Sequence, residues 1–137
     1  MTVCLFSLIF SSLSLRYTEM RISIFKAFML PHQFFKLLSD ETRMRCLLLI
    51  ARESRLCVNQ LTEALDESQP KISRHLALLR QSGVLVDTRE GQWVYYQIST
   101  ELPGWLNKII EGLKQSNCLQ AQYQKDTDKL NAMKACC

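Results

Sequence analysis

The run Ser68-Gln69-Pro70-Lys71-Ile72-Ser73-Arg74-His75-Leu76-Ala77-Leu78-Leu79-Arg80-Gln81-Ser82-Gly83 constrains the fold of this chain more than any other segment. Ser68 suits an N-cap, Pro70 a first helical turn, and Gly83 the left-handed position that closes a helix. Between them Ile72, Leu76 and Leu79 recur at i, i+4 and i+7, which makes one buried stripe. Ser73, Arg74 and Ala77 point away from that stripe, with Gln69, Lys71, His75 and Arg80 on its flanks. A short helix whose free face carries small and hydrogen-bonding residues can enter a DNA major groove without steric conflict. The segment reads as a recognition helix.

Its surroundings agree. Residues 32–38 predict a short amphipathic helix with Phe34, Phe35 and Leu38 on the apolar side. Ser39-Asp40 followed by Glu41 is a helix-start signal, and a second helix should run from Thr42 to about Ala51. A polar break over residues 52–55 follows. Leu56 or Cys57 then opens a third helix to Leu65, with Val58, Leu61 and Leu65 on one side, and Asp66-Glu67 turns the chain into the recognition helix. Two helices joined by about three residues form a helix-turn-helix.

After Gly83 the period becomes extended. Residues 84–89 predict a strand, Glu90-Gly91-Gln92 a turn, and residues 93–98 the return strand. A hairpin directly after a recognition helix is a wing, and Arg89 and Gln92 at its tip come within reach of a minor groove or a phosphate. Trp93, Tyr95 and Tyr96 read as wing and core packing, because base-stacking platforms serve single strands. Leu102-Pro103 opens a last helix on which Trp105, Leu106, Ile109, Ile110 and Leu113 make a wide apolar face, one that calls for a partner subunit as cover. Beyond Asn117 the sequence predicts a polar tail, partly mobile, that carries the vicinal pair Cys136-Cys137. The expected division is an extension over 1–28, a DNA-binding and dimerisation domain over 29–117, and a tail over 118–137.

At 137 residues and 47% hydrophobic content this is one domain with a modest core. The net charge of +4 is compatible with DNA but argues little alone. With two His and no HExxH, CxxC or Gly-rich phosphate loop, no catalytic constellation is evident, and the chain does not read as an enzyme. The six Cys, at 4, 46, 57, 118, 136 and 137, are irregularly spaced, so free thiols in a reducing cytoplasm are expected rather than a secreted disulfide framework. Residues 1–15 carry no charged side chain and several large apolar ones, yet they lack the basic start and cleavage site of a signal peptide and fall short of the ~20 residues of a membrane helix. The organised pattern begins at about Pro31, so Met20 or Met29 is expected to be the working start, with Met29 preferred.

The segments Leu56-Cys57-Val58, Ala64-Leu65-Asp66-Glu67-Ser68-Gln69-Pro70-Lys71-Ile72-Ser73-Arg74-His75-Leu76 and Gly91-Gln92-Trp93-Val94-Tyr95-Tyr96 resemble the arsenical-resistance (ArsR/SmtB) repressors. The resemblance runs from about Pro31 to Leu113. It implies a fold that is mainly α with a β-hairpin wing, a winged helix-turn-helix forming a homodimer through its first and last helices. It further implies repression of a metal- or metalloid-resistance operon, with operator DNA released when an inducer, most simply As(III) or Sb(III), binds. No cofactor is required on this reading, and no membrane is involved.

One departure stands out. Similar arsenic sensors carry Cys-Val-Cys at the start of the third helix, often with another Cys three residues later. Here Cys57 is present, but Asn59 and Thr62 occupy the partner positions. Trivalent arsenic wants two or three thiolates, and an amide oxygen replaces one poorly. The family's zinc site on the last helix is excluded as well, since no His lies beyond His75. Two completions are open: Cys136 and Cys137 could join Cys57, from the same or the other subunit, or Cys118 could join a site at the dimer interface. The alternative is that Cys57 is a small apolar residue and the other thiols are idle.

The candidate DNA-binding residues are therefore Ser68, Gln69, Lys71, Ser73, Arg74, His75, Arg80, Arg89 and Gln92. Arg74, Gln69 and Ser73 are assigned to base or near-base contact and Lys71, Arg80 and Arg89 to phosphate. His75, at the edge of the buried stripe, can equally pack or bond locally. The rival readings are a winged-helix regulator switched by thiol oxidation or independent of any inducer, and a winged-helix module that binds a protein instead of DNA.

Overall fold

The computed structural model describes residues 29–135. They form, in order, α1 (Pro31–Leu37), α2 (Glu41–Glu53), β1 (Arg55–Cys57), α3 (Val58–Leu65), α4 (Gln69–Gln81), β2 (Leu85–Glu90), β3 (Trp93–Ile98), α5 (Gly104–Gln115), α6 (Asn117–Gln122) and α7 (Gln124–Ala135). This is a mainly helical winged helix-turn-helix, as the sequence predicts. The expected extension over 1–28, and with it Cys4, lies outside the described residues, as do Cys136 and Cys137.

Helix α2 is the hub. Asp40 Oδ1 accepts the Arg43 N–H at 2.9 Å and so satisfies one orphan donor of its first turn. From Cys46 to Ala51 every side chain is buried, which is the signature of a helix covered on all sides. Phe34 of α1 is fully buried and meets Trp105 of α5 edge-on, with centroids 6.1 Å apart. Leu38 is buried beside it, but Phe35 is 56% exposed, so the expected apolar side of α1 carries two buried residues and not three.

The polar break is shorter than expected and contains a strand. Helix α2 continues to Glu53, Ser54 reverses the chain at φ 71°, and β1 pairs antiparallel with β3, Arg55 opposite Gln97 and Cys57 opposite Tyr95. The wing is thus the outer part of a three-stranded sheet ordered β1-β3-β2. A three-residue strand escapes periodicity because it offers too few positions to alternate. At the far end Glu90 pairs with Trp93 across a two-residue turn, and Gly91 takes φ 63°, as a hairpin turn of this length requires.

The expected polar tail is also corrected. A boundary at 117/118 falls inside α6, and the following helix docks on the body. Helix α7 packs against α3 and buries Leu130 completely. Its Asp126 is 4% exposed and holds Arg45 of α2 through two bonds, 2.8 Å to Nε and 2.5 Å to Nη2. The segment is polar overall because it is held by one leucine and a set of ion pairs rather than by a broad apolar face.

Candidate nucleic-acid interface and thiol centre

The helix-turn-helix is joined by a short turn in which Asp66 takes the left-handed conformation, φ 57° and ψ 45°, and lets Glu67 N–H bond back to Thr62 O at 3.2 Å. Helix α4 starts at Ser68, whose backbone is extended as an N-cap must be, although its side chain caps nothing. The hydroxyl therefore stays available, on an exposed corner with Gln69 and Pro70. The stripe of Ile72, Leu76 and Leu79 is fully buried. At the other end Ser82 closes the helix, Gly83 takes φ 80°, Gly83 N–H reaches Arg80 O at 3.0 Å and Val84 N–H reaches Leu79 O at 3.1 Å. That pair of reversed bonds aims the chain straight into β2.

The cations fall into two groups. Arg74 and Arg89 are exposed and carry no ion pair among the described residues; Arg74 makes only a long bond to Pro70 O at 3.4 Å. Lys71 is held by Glu67 at 2.6 Å, and Arg80 faces Asp87 of β2 at 3.4 Å. Those two must leave or share a carboxylate to meet a phosphate. Ser73 is half-buried beside Arg74, and Gln92 is exposed at the wing tip next to Gly91. Trp93 is 43% exposed, while Tyr95 and Tyr96 are half-buried, so only the two tyrosines serve as packing.

His75 turns away from this group. Its side chain is 15% exposed, and Nδ1 lies 3.7 Å from Asp40 Oδ1, too far for a hydrogen bond. Burial pulls its pKa below the ordinary value, against the attraction of the Asp40 carboxylate. Sequence reasoning missed Arg55. It bridges Glu90 through both guanidinium nitrogens, at 2.5 and 3.2 Å, and lies 4.5 Å over the Tyr95 ring, so it braces the wing from β1. It is the first residue of β1, a strand too short to show in the sequence pattern.

The thiols are dispersed. Cys46 is buried in α2, and burial pushes its pKa up to about 12, which leaves it protonated and inert. Cys57 is 6% exposed at the N-cap of α3, where its N–H donates to Gln60 Oε1 at 3.0 Å. Asn59 is exposed, and Thr62 spends its hydroxyl on Val58 O at 2.8 Å. Cys118 is exposed on α6. Among the described residues no group of three His, Cys, Asp or Glu could hold a metal ion.

Comparison with known proteins decides the family. The model for bacterial regulatory proteins of the arsR family matches residues 40–86. The arsenical resistance operon repressor of Escherichia coli K12 is 55% identical over 85 residues, which are 62% of this chain and 73% of that protein. The chain belongs to the arsR family. Among solved structures, reduced HlyU from Vibrio cholerae superposes with a TM-score of 0.54 at 30% identity, over 62% of this chain and 85% of that one. The antimony-specific transcriptional repressor AntR gives 0.50 at 29% identity, over 66% and 77%. Family membership makes the chain a winged-helix transcriptional regulator and not an enzyme.

Proposed function

We propose that this family member is a cytoplasmic homodimeric repressor of a metalloid-resistance operon, held on double-stranded operator DNA by α4 and the wing. The observation that carries the reading is the exposed start of α4, where Ser68, Gln69 and Arg74 stand clear of the buried stripe and a braced hairpin follows. Each subunit sets α4 in a major groove, with half-sites about one helical turn apart. Arg74, Gln69 and Ser73 address bases. Lys71, Arg80 and Arg89 address phosphates, with Ser68 and Gln92 beside them. His75 supports α4 from behind and is not assigned to DNA.

The dimer reading draws on α1 and α5. Leu30 and Phe35 are 47% and 56% exposed, and Trp105, Ile109 and Leu113 of α5 are half-buried. Pairing two copies through these faces removes that apolar surface from water at roughly 25 cal/mol per Å².

The inducer is a trivalent arsenic or antimony centre, in keeping with the relatives' printed roles in arsenical resistance and antimony-specific repression. An inducer that binds a DNA-incompetent form more tightly weakens operator binding by the same coupling energy. The interface is tested by titrating reduced protein onto its own upstream promoter DNA at several salt concentrations, against unrelated DNA of equal length. Tight, salt-dependent preference for the promoter is expected; equal affinity for both DNAs rules the operator reading out.

A further inference from the structure

Helix α4 buries its apolar stripe and still leaves a leucine outside. Leu78 is 43% exposed, although Leu76 and Leu79 of the same helix are fully buried. Among the described residues the other large apolar side chains this exposed are Leu30, Phe35 and Trp93. Leu30 and Phe35 lie at α1, on the face assigned to the subunit contact, and Trp93 lies beside the wing turn, opposite Glu90. Leu78 belongs to neither place.

Its position on the helix narrows what it meets. Lys71, Arg74 and Leu78 fall at i, i+3 and i+7 and make one row along α4. Leu78 stands one turn, ~6 Å of helix axis, beyond Arg74. Arg74 Nε reaches back to Pro70 O at 3.4 Å, and Lys71 Nζ back to Glu67 at 2.6 Å, so both cations lean toward the helix start and leave Leu78 uncovered. Ala77 beside it is too small to hold the helix away from a base edge. The major-groove edge of a base pair carries a single apolar group, the thymine 5-methyl; the rest is donors and acceptors. Against the cytosine amino group a leucine strips water from a donor and gives no bond in return. Against the methyl it removes apolar surface of both partners from water.

We propose that Leu78 reads the 5-methyl group of a thymine in each operator half-site, within about two base-pair steps of the base that Arg74 addresses. This rests on the reading of α4 as the element that enters the major groove, and adds to it a specificity-determining residue and the base it selects. The row then works in sequence along the groove: Lys71 on a phosphate, Arg74 on a base edge by hydrogen bonds, Leu78 on a methyl by apolar contact.

The test replaces thymines of the promoter operator with deoxyuridine, one symmetric pair at a time, which deletes the methyl and keeps the base pair. Full-length protein, unaltered or altered at position 78, is titrated onto each duplex by fluorescence anisotropy. For one symmetric pair the replacement should weaken binding of the unaltered protein by about fourfold per half-site, as the loss of one methyl contact implies. The same replacement should leave the affinity of Leu78→Ala unchanged. Leu78→Met, which keeps an apolar side chain, and Arg74→Ala, which keeps the leucine, should both retain the sensitivity to the methyl. Such coupling between one side chain and one methyl is not produced by a merely structural role. If the losses from Leu78→Ala and from deoxyuridine multiply at every thymine, the proposal is overturned while α4 still reads DNA. A lower dimer fraction of Leu78→Ala in sedimentation also overturns it, since the leucine then belongs to the subunit contact. No promoter preference in the unaltered protein removes the recognition-helix reading and this one together.

Discussion

His75 Nδ1 of the recognition helix lies 3.7 Å from Asp40 Oδ1, the atom that caps α2, so the DNA-reading element rests on a titratable pair. The other ionisable groups acting on the imidazole are Arg43 from α2 and Lys71 and Arg74 from α4, all cationic. Burial and these cations disfavour the imidazolium, and the folded-state pKa lies below the ordinary 6.5.

A depressed histidine binds its proton more readily in the unfolded chain. Its contribution to stability is complete above the ordinary value of 6.5 and is lost as pH falls below it. Asp40 is also depressed, chiefly by the Arg43 N–H bond, and its contribution is lost only on acidification below about its ordinary 3.8. Urea unfolding midpoints should therefore decline between about pH 7 and 5, with a smaller decline in His75→Gln. An unchanged slope in that variant contradicts the burial of the neutral imidazole.

Loss of Arg74 should weaken specific DNA binding by roughly 1–3 kcal/mol and relax base preference, since its guanidinium is exposed beside Ser73. Arg89→Ala should instead weaken binding uniformly across sequences and lower the salt slope by about one. Anisotropy titrations at graded salt distinguish the two, and identical behaviour of both variants contradicts the division into base and phosphate roles.

Much of this arrangement was legible from residue patterning. The Ile72, Leu76, Leu79 stripe, the Gly83 stop and the Gly91 hairpin each state a local geometry in the residue types themselves. What escaped depends on distant partners. The strand β1 exists because β3 is there to pair with it, and α7 docks because Asp126 finds Arg45 and Leu130 finds a gap beside α3. Tyr123, Thr127, Leu130 and Met133 do fall at helical spacing and are at least half-buried, a faint stripe inside a polar segment. The position of His75 was legible only to the edge of the stripe, since the nearby Asp40 belongs to another helix.

Asp126→Ala should destabilise the fold by about 3 kcal/mol, because it leaves Arg45, 21% exposed, without its carboxylate. Differential denaturation against the unaltered chain checks this. A cost below about 1 kcal/mol, as for a surface ion pair, contradicts a docked α7.

Ser54 holds φ 71° at an exposed reversal between α2 and β1. Glycine carries no Cβ penalty there, so Ser54→Gly should be stabilising by about 1 kcal/mol, partly offset by the greater freedom glycine gives the unfolded chain. A thermal melt reads the sign directly, and a lowered Tm contradicts the strain at this residue.

The central claim is a metalloid-released repressor, and one measurement meets it most directly. Reduced protein bound to its own promoter DNA is titrated with arsenite, followed by fluorescence anisotropy. The account predicts that the complex dissociates as arsenite rises and re-forms when a competing dithiol removes the arsenic. A promoter complex that forms tightly and ignores arsenite contradicts the claim.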